Sequence, residues 1–339
     1  SRLPIAPPGR GLSRAQQFRS GALDALGTAG FVEVLSYPFV SAVNNGWFAD
    51  SKQAVSLANP IQEEAGQLRL SLIPGLIETA KRNLSRGFTD LALVEQGSIF
   101  RSVKQAKVSF PDTSSRPSDA EIKSLNDSIP NQPKHLAGIF LGNRVDAQPG
   151  LKTVRFGVQD ALYAAKLVGQ AIGVSFDLKQ AEPTGYHPGR SAELLVGNKV
   201  VGFVGEVAPA ITKLVDLPRT VGVFEIDLDA LLDAAPESVV AKPIGTLPAA
   251  TQDLSLVVSV DVPAADLMNT VREGCGELLE EISLTDDYRG SNIEAGSKSL
   301  TFALRFRAMD RTLTQVEASE ARDRAVALAS KRFKAQIRA

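Results

Sequence analysis

The chain is poor in the residues that cross-link proteins and hold metals, with 1 cysteine and 2 histidines among 339 residues. A single thiol, Cys275, excludes an internal disulfide framework, and so few thiols and imidazoles cannot assemble a zinc cluster. Long apolar runs are missing too. None approaches the ~20 residues that span a bilayer, and no signal peptide is legible, so a cytoplasmic location is expected. Charge of one sign is also lacking: Lys+Arg 37 nearly cancels Asp+Glu 38. Whole-chain charge therefore argues neither for nor against nucleic acid. The glycine-rich phosphate loops G-x-G-x-x-G and G-K-S/T do not occur.

What is present is a globular composition, 44% hydrophobic and 22% charged, in a chain too long for one ordinary core. It starts at Ser1, and residues 1–12, "SRLPIAPPGRGL", read as an extended lead-in from a preceding module. Ser13 is the expected N-cap of a helix whose buried face carries Phe18, Ala22, Ala25, Leu26 and Ala29. "FVEVLSYPFV" reads as a strand that Pro38 must distort. A helix is expected from near Pro74, then a buried strand, "LALVEQGSIF", with Glu95 embedded in it. Residues 102–135 lack sustained periodicity and read as a mobile surface insertion. "AELLV" and "KVVGFVGEV" flank Gly197-Asn198, a hairpin signal, and "VGVFEIDLDALL" runs from strand into helix. Helices alternating with mostly antiparallel strands make residues 13–233 an α+β domain.

Residues 234–245 read as a linker. Beyond it, 246–339 give strand, helix, two strands, helix and a short closing strand, the ferredoxin-like split βαβ order. Charge is lopsided here. Residues 246–297 hold 2 basic and 10 acidic residues, whereas 298–339 hold 10 basic and 4 acidic ones. Alternation in "KSLTFALRFR" sends Leu300, Phe302, Leu304 and Phe306 to the core. Ser299, Thr301, Ala303, Arg305 and Arg307 then share the opposite face with Asp253, Ser255, Val257 and Ser259. Tyr288 and Arg289 end the preceding strand. An aromatic, hydroxyls and arginines on a helix-free sheet are the means by which small sheets bind single-stranded RNA. The plainer reading is a wet antiparallel face, with Tyr288 capping the core because it shares parity with Ile282 and Leu284.

His187, Arg190 and Glu193 in "YHPGRSAE" have the residue types of an acid–base site. Pro188 and Gly189 are expected to make a turn there, with Arg190 and Glu193 in structural polar contacts. His187 is read as structural. A self-contained enzyme using His187 and Glu193 remains the alternative, as does a free-standing RNA-binding protein.

"LRLSLIPGLIETAKRNLSRG…DLALVEQGSIF", "YHPGRSAELLVGNKVVGFVGEVAP" and "FEIDLDALL" resemble, in order, the C-terminal half of the bacterial phenylalanyl-tRNA synthetase β subunit. "PAATQDLSLVV…DDYRG…KSLTFALRFR…DRTLT" resembles that subunit's ferredoxin-fold anticodon-binding domain. The resemblance implies a catalytically inert class II synthetase-like domain over 13–233. Adenylate formation needs arginines at the ATP phosphates, yet Glu95 stands on the motif 2 strand and Glu225, Asp227 and Asp229 at motif 3. It further implies no cofactor in this chain, with ATP and Mg2+ used at a partner α subunit. The implied assembly has two α and two β chains, and "ALDALGTAGFVEVLSYPFV" resembles the motif that forms such interfaces. The resemblance also places Asp286-Asp287-Tyr288-Arg289-Gly290 and Lys298-Ser299-Leu300 at the anticodon. The expected tRNA-binding residues are Tyr288, Arg289, Ser299, Thr301, Arg305 and Arg307.

Overall fold

Ser13 starts the first helix: its side chain accepts from the Gln16 amide while the Gln16 side chain accepts from the Ser13 amide, a complete capping box. The computed structural model describes residue 9 and residues 11–103, 114–238, 240–241, 244–290 and 292–338. The lead-in lies largely outside these residues, as do 104–113 of the expected insertion and part of the linker. The chain forms two compact units, Ser1–Val239 and Val240–Ala339.

In the first unit the order is α1 (Arg14–Thr28), β1 (Val32–Glu33), β2 (Phe39–Val40), α2 (Ala42–Asn45), β3 (Gln67–Leu68), α3 (Ile73–Leu84) and β4 (Leu91–Ser98). Then come α4 (Asp119–Asp127), β5 (Lys134–Leu141), β6 (Asn143–Val145), β7 (Val154–Arg155), α5 (Val158–Gln170) and β8 (Asp177–Gln180). β9 (Tyr186–Val196), β10 (Lys199–Val207), α6 (Pro209–Leu214), β11 (Gly222–Asp227) and α7 (Leu228–Ala234) complete it. Pro38 does divide its stretch, leaving β1 and β2 as separate two-residue strands. The described part of the expected insertion contains α4, which Ser118 and Glu121 close with a second capping box.

The main sheet has seven strands in the order β1-β4-β5-β11-β10-β9-β8, antiparallel except for the β1–β4 pair. Its strands alternate between two cores. Val94, Leu136, Phe140, Phe224 and Ile226 meet α1, α5 and α7 on one side. Leu93, Ala137, Ile139 and Val223 meet α3 on the other. Glu95, His135 and Glu225 share the second side by parity, so buried charge is concentrated beneath α3.

The second unit runs β12 (Ala250–Ser259), α8 (Ala264–Cys275), β13 (Leu279–Tyr288), β14 (Ser297–Phe306), α9 (Gln315–Phe333) and β15 (Gln336–Ile337). The sheet order β13-β14-β12-β15 is fully antiparallel, as the split βαβ pattern requires. Leu254, Leu256, Leu300, Phe302, Leu304 and Phe306 pack with Leu267, Val271 and Cys275 of α8 and the alanines of α9. Gly274 allows the two helices to approach, since a Cβ there would meet the backbone of Ala325. All helix packing is on one side, which leaves the other face of the sheet free.

The first core tolerates no added volume at Gly138. A Cβ there would sit 2.5 Å from Phe224 Cε1 and 2.9 Å from Phe140 Cζ, two buried rings that stack with centroids 6.1 Å apart. Overpacking of this kind costs ~1–3 kcal/mol. Gly138→Ala should therefore lower the unfolding free energy of the first unit by that much, read as a lower denaturant midpoint at an unchanged m-value. An unchanged midpoint would show that the rings are free to move.

Candidate nucleic-acid interface

The cleft of the first unit encloses about 720 Å3, lined among others by Ser71, Arg101, His135, Tyr186, Glu193, Glu225 and Asp227. Its carboxylates are held by the chain itself. Glu225 accepts from the Ser71 hydroxyl and the Leu72 amide (3.1 Å), and its Oε1 lies 2.8 Å from His135 Nδ1. Asp227 caps α7 through the Ala230 amide, and its Oδ2 is 3.7 Å from His135 Nε2. Asp229 takes the Lys134 amide and Arg19. Glu95, 0% exposed, is paired with Arg69 and Ser36. Arg69 also donates to the Ser98 carbonyl, lying across Gly97, where any side chain would collide with its guanidinium.

Burial opposes charge on His135, but the nearby Asp227 carboxylate and the hydrogen bond and charge of Glu225 outweigh it and raise the imidazole to about 9. Burial likewise pushes Glu225 upward, yet the bonded His135 holds its carboxyl below the usual range. Burial, with the Glu225 charge behind it, lifts the Tyr186 hydroxyl well above its ordinary value. His135 was not among the expected site residues. Its only signal was a polar residue at the start of an otherwise apolar strand.

His187 and Glu193 do not converge. Both lie on β9, six positions apart, which in extended chain is roughly 20 Å. His187 Nε2 is 2.9 Å from Arg190, Arg190 pairs with Glu206 at 3.2 Å, and Glu193 faces Lys179 at 3.7 Å. The structural reading of Arg190 and Glu193 holds, and the acid–base alternative loses its geometry. The expected Pro188-Gly189 turn is a correction: both residues belong to β9, with Gly189 at φ +80°. Pairing jumps from Ser191↔Gly205 to Tyr186↔Val207, so residues 187–190 face Glu206 alone. Pro188 sits in this bulge, where its missing donor costs no ladder bond.

In the second unit, β13 carries an extra residue between Leu284↔Phe302 and Asp286↔Thr301. The bulge at Thr285 reverses the parity of the strand. Ile282 packs in the core, and Leu284 pairs with core Phe302 on the same face though it is 42% exposed, but Tyr288 pairs with Ser299 on the helix-free side. The premise that Tyr288 shares a face with Ile282 is thereby removed. Ser299 pairs in turn with Val257, and Val257 with Gln336, giving one cross-sheet row. Beside it run Asp286, Thr301 and Ser255, with the Thr301 and Ser255 hydroxyls 2.9 Å apart.

The arginines differ from one another. Arg289 is exposed and bonded to Asp287 at 2.9 and 3.0 Å. Arg305, half exposed, and Arg307, nearly buried, both bond Glu280, at 2.6 and 2.9 Å. These bonds, Arg305 first, hold the Glu280 carboxyl below its ordinary range. Arg307 also donates to the carbonyls of Gly245 and Leu247, pinning the start of the unit. The structure thus brings Tyr288, Ser299 and Thr301 to one face, Arg305 toward its far end, and commits Arg307 to the chain. Arg338 was not anticipated: its guanidinium carbon lies 4.5 Å from the Tyr288 ring centroid.

The buried cluster makes the first unit pH-sensitive. His135 is raised when folded, so its stabilisation is complete below about pH 6.5, the ordinary imidazole value, and is lost as pH rises through about 9. Followed by Trp47 fluorescence, unfolding free energy should fall between those pH values. His135→Gln should be less stable at pH 6.5 by up to ~3 kcal/mol and flatter across the window. A variant with the wild-type pH slope would refute the assignment.

Two family models match in sequence. The phenylalanyl tRNA synthetase beta chain CLM domain matches residues 1–228, and the ferredoxin-fold anticodon binding domain matches residues 245–338. The phenylalanine–tRNA ligase beta subunit of Leifsonia xyli subsp. xyli is 49% identical over 99% of this chain and 41% of that protein. That of Streptomyces avermitilis is 42% identical over 100% of this chain and 42% of that protein. The chain thus spans about two fifths of the length of the curated relatives it matches. Among solved structures, the pyrrolysyl-tRNA synthetase of Desulfitobacterium hafniense aligns over 65% of this chain and 68% of that one, at 15% identity and a TM-score of 0.45. With a family model covering most of its length and relatives this similar along all of it, the chain belongs to the phenylalanyl-tRNA synthetase β-subunit family.

Proposed function

We propose that this chain is the noncatalytic scaffold and anticodon-binding part of a phenylalanine–tRNA ligase β subunit, with ATP-dependent attachment of phenylalanine carried out at a partner α subunit. Residues 13–233 form the inert synthetase-like domain and 246–339 the anticodon-binding domain. The observation that carries the RNA reading is the Thr285 bulge, which turns Tyr288 out beside Ser299. Tyr288 stacks on an anticodon base, and the Ser299 and Thr301 hydroxyls take base edges. Arg289 and Arg305 attract the backbone, while Arg307 shapes the edge on which Arg305 stands.

Mg2+–ATP does not fit the cleft of the first unit. Arg69 is consumed by Glu95, and the motif 3 position presents Glu225 and Asp227, which repel phosphate. Among the described residues no group of three His, Cys, Asp or Glu side chains is placed to hold a metal ion. ATP and Mg2+ belong instead to the α subunit. Contact with that subunit is supported by the segment after α1, where Leu35 is 88% and Tyr37 85% exposed, with Val32 and Val43 also exposed. No described helix is long and apolar enough to cross a membrane, and we place the α2β2 assembly in the cytoplasm.

Two measurements test this. The chain alone should show no phenylalanine-dependent ATP–pyrophosphate exchange, and robust exchange would end the inert-core reading. In the assembled ligase, Tyr288→Ala should weaken use of tRNA about ten- to a hundred-fold, a base-stacking contact being worth ~1–3 kcal/mol. Amino-acid activation should be unaffected. Because Tyr288 lies outside the core, its loss should cost the fold no more than the ~1 kcal/mol of an exposed cation–π contact. Unfolding of the unit with normal charging by the remainder would reassign Tyr288 to packing.

A further inference from the structure

Ser299 stands on the face of the second sheet that carries no helix, yet it is 0% exposed. Its hydroxyl has no hydrogen-bond partner among the described residues. A hydroxyl that is buried and unsatisfied calls for a physical reason. The regular architecture of this unit supplies none, because no described helix of the unit packs on that face. What lies across it is a pair of side chains. Tyr288 begins on β13 and Arg338 just beyond β15, at opposite edges of the sheet and three strand spacings apart, about 14 Å. Their contact at 4.5 Å requires both to extend inward over β14 and β12. Ser299 and Val257 occupy those two strands in the Tyr288 row. Arg338 is fixed at its base by its amide, which donates to the Ser255 carbonyl.

The chemistry of the pair matches that of an RNA contact. A guanidinium is planar and stacks on an aromatic face much as a base does. The other arginines near this face are tied to carboxylates: Arg289 to Asp287, and Arg305 and Arg307 to Glu280. Arg338 forms no ion pair among the described residues, and the ring is what holds its charged end. Gly290 leaves room for the phenol, since a Cβ there would collide with it.

Resting on the anticodon-face reading above, we propose that Arg338 is an internal occupant of the base-stacking site. In the free chain its guanidinium covers Tyr288 and, with it, Ser299. An incoming nucleobase displaces it from the ring, the Ser299 hydroxyl gains its missing partner on the base edge, and the released guanidinium pairs with a backbone phosphate.

The test uses the whole chain and a labelled anticodon stem–loop of phenylalanine tRNA, titrated over a range of KCl concentrations. Arg338→Ala loses one phosphate contact, so the slope of log affinity against log salt should flatten by about 0.7. Extrapolated to about 1 M salt, where the charge contribution vanishes, it should bind about two- to five-fold tighter than the wild type, because the competitor for the ring is gone. Ser299→Ala should bind about three- to tenfold more weakly while its denaturation midpoint stays level or rises, as expected for removal of an unsatisfied buried hydroxyl. Weaker binding by Arg338→Ala at every salt with a parallel slope would make Arg338 a permanent member of the bound stack and overturn the proposal. So would an Arg338→Ala variant identical to the wild type, or a lowered midpoint in Ser299→Ala. Loss of any effect from Tyr288→Ala would instead remove the anticodon-face reading itself.

Discussion

A side chain in a sheet belongs to whichever face its position's parity dictates, and one extra residue reverses every assignment beyond it. In β13 that residue is Thr285. Up to Leu284, Ile282 and Leu284 lie on the helix side, with Ile282 in the core; after it, Asp286 and Tyr288 lie on the open face. The phenol, the Ser299 hydroxyl and the Ser255–Thr301 pair form one surface only because of that insertion. Without it Tyr288 would enter a core already filled by Phe302 and Leu300. A second bulge at Glu280, between Leu279↔Phe306 and Glu281↔Arg305, frees the carboxylate that clamps Arg305 and Arg307. The two irregularities divide the strand's work, one aiming the aromatic and the other fixing the arginines.

The first unit shows how a sheet accommodates carboxylates buried beneath a helix. A carboxylate under a helix must find partners or take up a proton. Glu95 finds Arg69 and Ser36, and Glu225 finds His135, Ser71 and the amide at the head of α3. These contacts tie the segment before α3 to strands β4, β5 and β11. A cation that must neutralise a buried carboxylate is not available to a ligand, so the cleft's own charge balance is spent on holding the sheet and α3 together. Removing either partner would strand the other, which is why such pairs fix geometry more than they add stability.

Much of this was legible in sequence because it is local. Ser13 announces the first helix, Gly197-Asn198 the hairpin, and the alternation of β14 both of its faces. The bulges were not legible, since an inserted Thr or Glu in a polar strand leaves no mark on composition. Pro188-Gly189 misled for a related reason: the pair that makes turns elsewhere here sits in a four-residue bulge. The partnerships Arg69–Glu95 and His135–Glu225 join residues far apart in the chain, and only the register decides them. Arg338 was invisible because its role depends on a strand order in which the last strand lies opposite the second.

Charge counting alone also overstates the basic character of the second unit. The 10 basic residues of 298–339 suggest an electropositive surface. Yet Arg305 and Arg307 share Glu280, Arg311 faces Glu317, Arg322 faces Asp323 and Arg332 faces Glu273. Lys298 donates to the Val260 carbonyl, and burial, with Arg289 adding to it, lowers its ammonium below the ordinary range. Exposed pairs of this kind add little to stability, but each removes a cation from the field an approaching polyanion meets. On the RNA-binding reading proposed above, each paired arginine would release fewer counterions than a free one, and the backbone share of the affinity would be correspondingly smaller. On the same reading, recognition at this face rests on the Tyr288 ring and the hydroxyls, whose placement depends on the extra residue at Thr285.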